Sequence, residues 1–160
     1  NFHFLEEDPE LPTFPKIARD ELVALLDAAH ATDISSRKSI TGLVVLYCCV
    51  AIAWKSKLQS LVATSSTKAE FYAAVLCAKI VKYLRYVMEE LEAIRPGPSR
   101  MFIDNQAALY MINESRPTKH TRHVQVQHFA IQEWRQHGDV VMEHLSGSMN
   151  SSDDFTKALG

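Results

Sequence analysis

Two hydrophobic periods divide this chain. Glu21–Ala28 is almost continuously apolar up to Asp27, the pattern of a strand buried on both faces. Polar Thr32–Ser39 predicts a turn. Ile40–Cys49 and Val50–Lys57 are β-branched and aromatic and contain no proline, which predicts two further strands meeting at Cys48-Cys49. The pattern then turns helical. Ala73, Cys77, Ile80, Leu84, Met88 and Leu91 recur at helical spacing, predicting a long helix over Thr67–Leu91 that Arg95-Pro96-Gly97-Pro98 ends. Met101–Ile103 reads as a short buried strand running into Asp104, and Asn105–Glu114 as a helix. A basic loop, Arg116–Arg122, precedes a third helix over His123–His137, which Gly138 terminates. Val140–Leu145 is the last strand, followed by a Gly/Ser/Asn loop (Ser146–Ser152) and a short helix (Asp153–Leu159).

The order β-β-β-α-β-α-α-β-α predicts an α/β fold. Three consecutive strands form an antiparallel meander, and two more, reached through helices, run parallel, giving a mixed five-stranded sheet with helices on both faces. Residues 1–19, with Pro9, Pro12 and Pro15 and an acidic cluster, read as a linker or N-terminal arm, which leaves 20–160 as the domain.

Composition narrows the function. A chain of 160 residues with 47% hydrophobic and 22% charged residues suits one globular domain. A formal charge of −2 excludes a strongly basic nucleic-acid binder, so contact with a polyanion must be local or arranged through metal ions. No apolar run reaches membrane-spanning length, and the first residues lack the basic and apolar regions of a signal peptide. The chain does not start with Met and is expected to be a piece of a longer polypeptide. Three cysteines, odd in number and set in apolar runs, suggest a reducing, intracellular setting without disulfides.

Four acids sit at element edges: Asp27 ending the first strand, Glu70 opening the long helix, Asp104 ending the fourth strand, and Asp153 opening the last helix. Each has a structural alternative. Asp27 can reach water, Thr67-Lys68-Ala69-Glu70 fits a capping box, and Asp104 and Asp153 can cap the helices they precede. Against the capping box, Glu70 shares a stripe with Ala73, Cys77 and Leu84, which faces the core. Sheets of this kind gather strand ends and helix starts along one rim. Carboxylates crowded there repel each other unless cations neutralise them, and all-oxygen ligation selects Mg²⁺ or Mn²⁺. A pair of such ions serves in-line attack on phosphodiesters.

Six segments carry a resemblance: Asp33–Gly42, Ala53–Gln59, Ala63–Ala73 (with Ser-Ser-Thr-Lys-Ala-Glu), Ile103–Ala108 (with Asp-Asn-Gln), Thr118–His123 and Asp153–Leu159. In order and spacing the chain resembles the ribonuclease H domain of copia-type (Pseudoviridae) LTR retrotransposon polyproteins. The resemblance implies a ribonuclease H fold and hydrolysis of the RNA strand of RNA–DNA hybrids, leaving 5′-phosphate and 3′-hydroxyl ends. It places the acidic tetrad, as catalytic residues and ligands of two Mg²⁺ or Mn²⁺ ions, on Asp27, Glu70, Asp104 and Asp153, with Asp154 as the alternative for the last. It also implies nucleic-acid contacts from Ser65, Ser66, Thr67, Asn105 and Gln106; independently of it, the sparse basic residues Lys55 and Lys57 on the third strand and Lys119, His120, Arg122 and His123 before the third helix are placed to track phosphates. The implied partners are the hybrid and the reverse transcriptase part of the same polyprotein. The implied setting is a cytoplasmic virus-like particle, with the isolated domain a monomer and no membrane. A catalytically degenerate nucleic-acid-binding or interaction module is the alternative.

Departures from the family pattern are local. Asp27-Ala28-Ala29-His30 lacks the usual second acid and tryptophan, and Gln125 stands where an acid is frequent. The loop Ser146–Ser152 lacks the histidine that cellular ribonucleases H carry there. His144 lies nearby and is expected in the core or at the strand edge; pointing to the rim, it could assist product release.

Overall fold

A computed structural model describes residues 15–114, 122–146 and 150, without the side chains of Arg122 and His123. It contains strands β1 (Leu22–Ala29), β2 (Ile40–Tyr47), β3 (Val50–Leu58), β4 (Ser99–Ile103) and β5 (Val140–His144). The helices are α1 (Ser66–Glu90), α2 (Gln106–Asn113) and α3 (Arg122–Gln136). The helix expected at 153–159 lies outside the described residues. The five strands form one sheet in the order β3-β2-β1-β4-β5. β1–β2 and β2–β3 are antiparallel, and β1–β4 and β4–β5 are parallel. The mixed topology expected from the element order is therefore the one observed.

Alternation along β1 sorts its side chains between two clusters. Leu22, Ala24 and Leu26 join Leu43, Val45, Met101 and Ile103 in the main core, where Phe71, Cys77, Ala108, Ile112 and Ile131 bring in all three helices. Val23 and Leu25 join Val44, Phe102 and Leu145 on the second face. A strand buried on both faces reads as an unbroken apolar run, which is why β1 has no polar alternation. Ile17 packs against the second cluster. Arg100 binds the Lys16 carbonyl at 3.0 Å and grips Glu143 through two nitrogens, each at 3.0 Å. Part of the segment expected as linker thus lies against the sheet.

The β2–β3 joint is a two-residue turn. Cys48 and Cys49 both have positive φ, 52° and 61°. Such turns match the right-handed twist of a hairpin and favour Asn-Gly, so two ordinary residues here carry backbone strain. The sequence had no turn residue to mark the boundary because the hairpin register, not local preference, imposes it. Replacing the pair together (Cys48→Asn with Cys49→Gly) is expected to stabilise the domain by about 1 kcal/mol, raising Tm by about 2–4 °C. Cys49→Val should lower Tm in the same thermal melt. Equal melting temperatures for the wild type and the Asn-Gly variant would show that the turn is unstrained.

Candidate metal centre at the sheet rim

The site begins with the register of β1 and β4. Leu25 pairs with Phe102 in the parallel ladder. Two residues further along each strand, Asp27 and Asp104 stand level, and side chains at the same level of adjacent strands point the same way. Asp27 is buried and Asp104, just past β4, half-buried.

α1 supplies the third acid. Its N-cap is Ser65, whose hydroxyl accepts from the Lys68 N–H at 3.2 Å. The capping-box alternative for Thr67 and Glu70 is therefore not used, and Glu70 lies a turn inside the helix. Ala69, Ala73 and Cys77, on the same side, are fully buried, and this orientation carries Glu70 into the interior at 4% exposure. There Oε1 accepts the Ala28 N–H at 2.8 Å. Asp104 is likewise not a cap: Asn105 is, accepting from the Ala108 N–H at 3.0 Å. The asparagine takes the structural role and leaves the aspartate to the rim.

Asp27, Glu70 and Asp104 each offer a carboxylate oxygen within 4.8 Å of the others, the one such cluster among the described residues. Burial pushes the Glu70 carboxyl up to about 9, helped by the neighbouring charges of Asp27 and Asp104 and opposed by the Ala28 N–H. Its Oε2 is buried with no hydrogen-bond partner among the described residues. An all-oxygen set with one buried, unmatched acceptor fits a hard divalent cation. Asp153 and Asp154 lie outside the described residues, so three of the four expected acids are brought together here.

Of the expected nucleic-acid contacts, Ser66 and Gln106 are exposed at the starts of α1 and α2, and Thr67 is half-exposed beside them. Ser65 and Asn105 each spend a side-chain oxygen on a cap. Arg122 opens α3, its side chain not described, and Lys119 lies outside the described residues.

Three supporting residues complete the rim. Asn150, buried, donates from Nδ2 to the Leu26 carbonyl at 2.7 Å, beside Asp27. His30, where the family pattern has its tryptophan, sits with Nε2 at 3.1 Å from the Ala63 carbonyl and ties the end of β1 to the loop before α1. His144 is exposed, at the rim rather than in the core, with Nε2 at 3.0 Å from the Asp104 carbonyl. Sequence reading singled out neither Asn150 nor the His30 contact, since both join residues distant along the chain.

Over 133 residues, 83% of its length, the chain is 32% identical to the retrovirus-related Pol polyprotein from transposon TNT 1-94 of Nicotiana tabacum. Polyproteins from transposons RE1 and RE2 of Arabidopsis thaliana match a similar share. The chain belongs to the copia-type retrotransposon Pol family. It spans about a tenth of the length of these curated relatives. No profile of a known protein family matches it. Its fold is that of ribonuclease H. LC11-RNase H1, isolated from compost by a metagenomic approach, superposes with a TM-score of 0.61 at 12% identity, over 85% of this chain and 92% of that one. The foamy viral protease-reverse transcriptase, solved in complex with an RNA/DNA hybrid, gives a TM-score of 0.58 at 15% identity over 95% of this chain and 22% of that one. The copia-type chain is thus a ribonuclease H-like domain of a retrotransposon polyprotein with an acidic cluster at its rim. Among its described residues no helix is long and apolar enough to cross a membrane.

The raised Glu70 value sets a pH dependence. The folded state holds the Glu70 proton more tightly than the unfolded chain, so its contribution is fully present below about pH 4.5 and is lost as pH rises toward about 9. In EDTA, Tm should fall across this window, and Glu70→Gln should flatten the fall. Added Mg²⁺ should raise the wild-type Tm most at the alkaline end. A wild-type Tm that rises with pH in EDTA would contradict the assigned environment of Glu70.

Proposed function

We propose that this domain is a metal-dependent endoribonuclease that hydrolyses the RNA strand of RNA–DNA hybrids, leaving 5′-phosphate and 3′-hydroxyl ends. The observation that carries this reading is the convergence of Asp27, Glu70 and Asp104, from two adjacent parallel strands and the helix packed on them, within 4.8 Å. Asp27, Glu70, Asp104 and Asp153 would hold two Mg²⁺ or Mn²⁺ ions. When bound, such ions activate a water, orient the scissile phosphate and stabilise the leaving oxygen.

The chain's own residues shape that site. The Ala28 N–H holds one Glu70 oxygen and leaves the other for a ligand. Asn150 tethers the chain three residues before Asp153 to the backbone of β1 next to Asp27, which supports Asp153 as the fourth ligand. The exposed Ser66 hydroxyl and the N-terminus of α1 offer donors to a phosphate, and Gln106 offers an amide to the minor groove, where the 2′-hydroxyl marks an RNA strand. Lys119 and Arg122 would add phosphate contacts. The sheet neighbours support the hybrid as substrate, and the polyprotein relatives support the reverse transcriptase part of the same polyprotein as partner. In its element the domain would act inside a cytoplasmic particle, and alone as a monomer.

The test is cleavage of a labelled hybrid beside double-stranded RNA and duplex DNA. Cleavage confined to the RNA strand of the hybrid is expected, abolished by EDTA and restored by Mg²⁺ or Mn²⁺. Asp27→Asn and Asp104→Asn should each lower the rate by at least roughly a hundredfold while keeping the fold by circular dichroism. Full activity in either variant would refute the assignment. For the fourth ligand, Asp153→Asn should inactivate and Asp154→Asn should not; the reverse pattern would move the ligand by one residue.

A further inference from the structure

Away from the acids, a cleft of about 160 Å³ opens between the end of β3, α1 and α3. Lys57, near the end of β3, and Lys79, on α1, both line it, together with the polar side chains of Gln59, Ser60, Tyr72 and Gln127. Both lysines are exposed, and no acidic residue lines the cleft among the described residues. Further along this helix Lys82 pairs with Asp139 at 3.0 Å and Arg85 with Glu89 at 2.7 Å, and near its start Lys68 donates to the Thr64 hydroxyl at 2.8 Å. In a chain of net charge −2, a concavity lined by two cations and, among the described residues, by no acid is locally suited to an anion. Burial pushes the Tyr72 phenol above its ordinary range, so its hydroxyl stays protonated and able to donate, as does that of Ser60.

The cleft shares a wall with the acidic cluster. Gln59 is buried, and its Nε2 donates to Thr41 Oγ1 and to the Ala69 carbonyl, each at 2.9 Å. Thr41 pairs with Ala28, whose N–H holds Glu70, and Ala69 precedes Glu70. One buried amide therefore fixes the cleft relative to the carboxylates. A strand bound over the acids would meet the cleft as a second foothold.

We propose that Lys57 and Lys79 clamp a backbone phosphate of the bound nucleic-acid strand in this cleft, outside the reacting centre. This rests on the proposed hybrid substrate. A phosphate contact positions the strand without reading its sequence, and it shows in the salt dependence of binding.

The test is equilibrium binding of a fluorescent hybrid in EDTA, where no cleavage interferes, from about 50 to 200 mM salt. Lys57→Gln and Lys79→Gln should each reduce the slope of log K against log salt by up to about 0.9, and the double variant by nearly twice that. Affinity at the lowest salt should fall several-fold, alike for hybrids of different sequence. Arg95→Gln, which removes a charge beyond the far end of α1, should leave the slope unchanged. A double variant with the wild-type slope overturns the clamp, as does an equal change in Arg95→Gln. A wild-type chain that binds the hybrid with this slope pattern but does not cleave it with Mg²⁺ would refute the hydrolase reading and leave the clamp standing. Cleavage by the wild type with an unchanged double-variant slope would do the opposite.

Discussion

The repulsion among Asp27, Glu70 and Asp104 is the constraint around which the rim is built. Unit charges this close, at the effective dielectric of a partly buried site, oppose one another by several kcal/mol per pair. A fold selected for stability alone would separate them or replace one by a neutral side chain. Here the backbone supplies the opposing force. β1 and β4 are parallel neighbours whose register sets two aspartates level, and α1 lies across β1 through a dense seam of Ala69, Ala73, Ala74, Cys77 and Ala78, all fully buried. Small side chains let the helix approach closely, and that approach delivers Glu70 to the Ala28 N–H. Burial first, and then the charges of Asp27 and Asp104, raise the Glu70 carboxyl to about 9, which favours a proton there, and a bound divalent cation would replace that proton.

Much of this was legible along the chain. The apolar run ending in Asp27 announced a doubly buried strand, and the helical spacing through Ala73, Cys77 and Leu84 placed Glu70 on the core side against a capping motif that pointed elsewhere. Ser65, Ser66 and Thr67 are all competent caps, so local chemistry could not choose among them. Burial chose, since the start at Ser65 puts Ala69, Ala73 and Cys77 on the sheet. Asp104 and Asn105 posed the same problem on α2, and the shorter reach of the residue adjoining the helix settled it for Asn105.

What stayed hidden depends on contacts across the chain. The Asn150 bond to Leu26 spans 124 positions and that of His30 to Ala63 spans 33, and no local pattern encodes either. An asparagine in a Gly/Ser/Asn sequence reads as a turn former until Asn150 itself is seen to bond to β1. His30 is the sharper case. A position that departs from the family's tryptophan looks like a loss, yet its ring reaches the loop before α1 and holds the β1 end in place by a hydrogen bond.

Buried tethers of this kind bear on how a modestly acidic domain would present the proposed polyanion site. Net charge is the wrong quantity at this range, because screening confines each group's influence to about 10 Å in ordinary salt. What a phosphate would meet in the proposed complex is the local sequence of groups: an acidic rim suited to cations, helix starts rich in hydroxyls and N–H donors, and a cleft with no acidic lining among the described residues. Gln59 ties the cleft to the acidic rim through Thr41 and Ala69, so in the proposed complex buried hydrogen bonds would hold these two surfaces at a fixed offset. Geometry of that kind would survive changes in salt that weaken binding, and for the proposed nuclease cleavage position is therefore expected to be less sensitive to ionic strength than affinity.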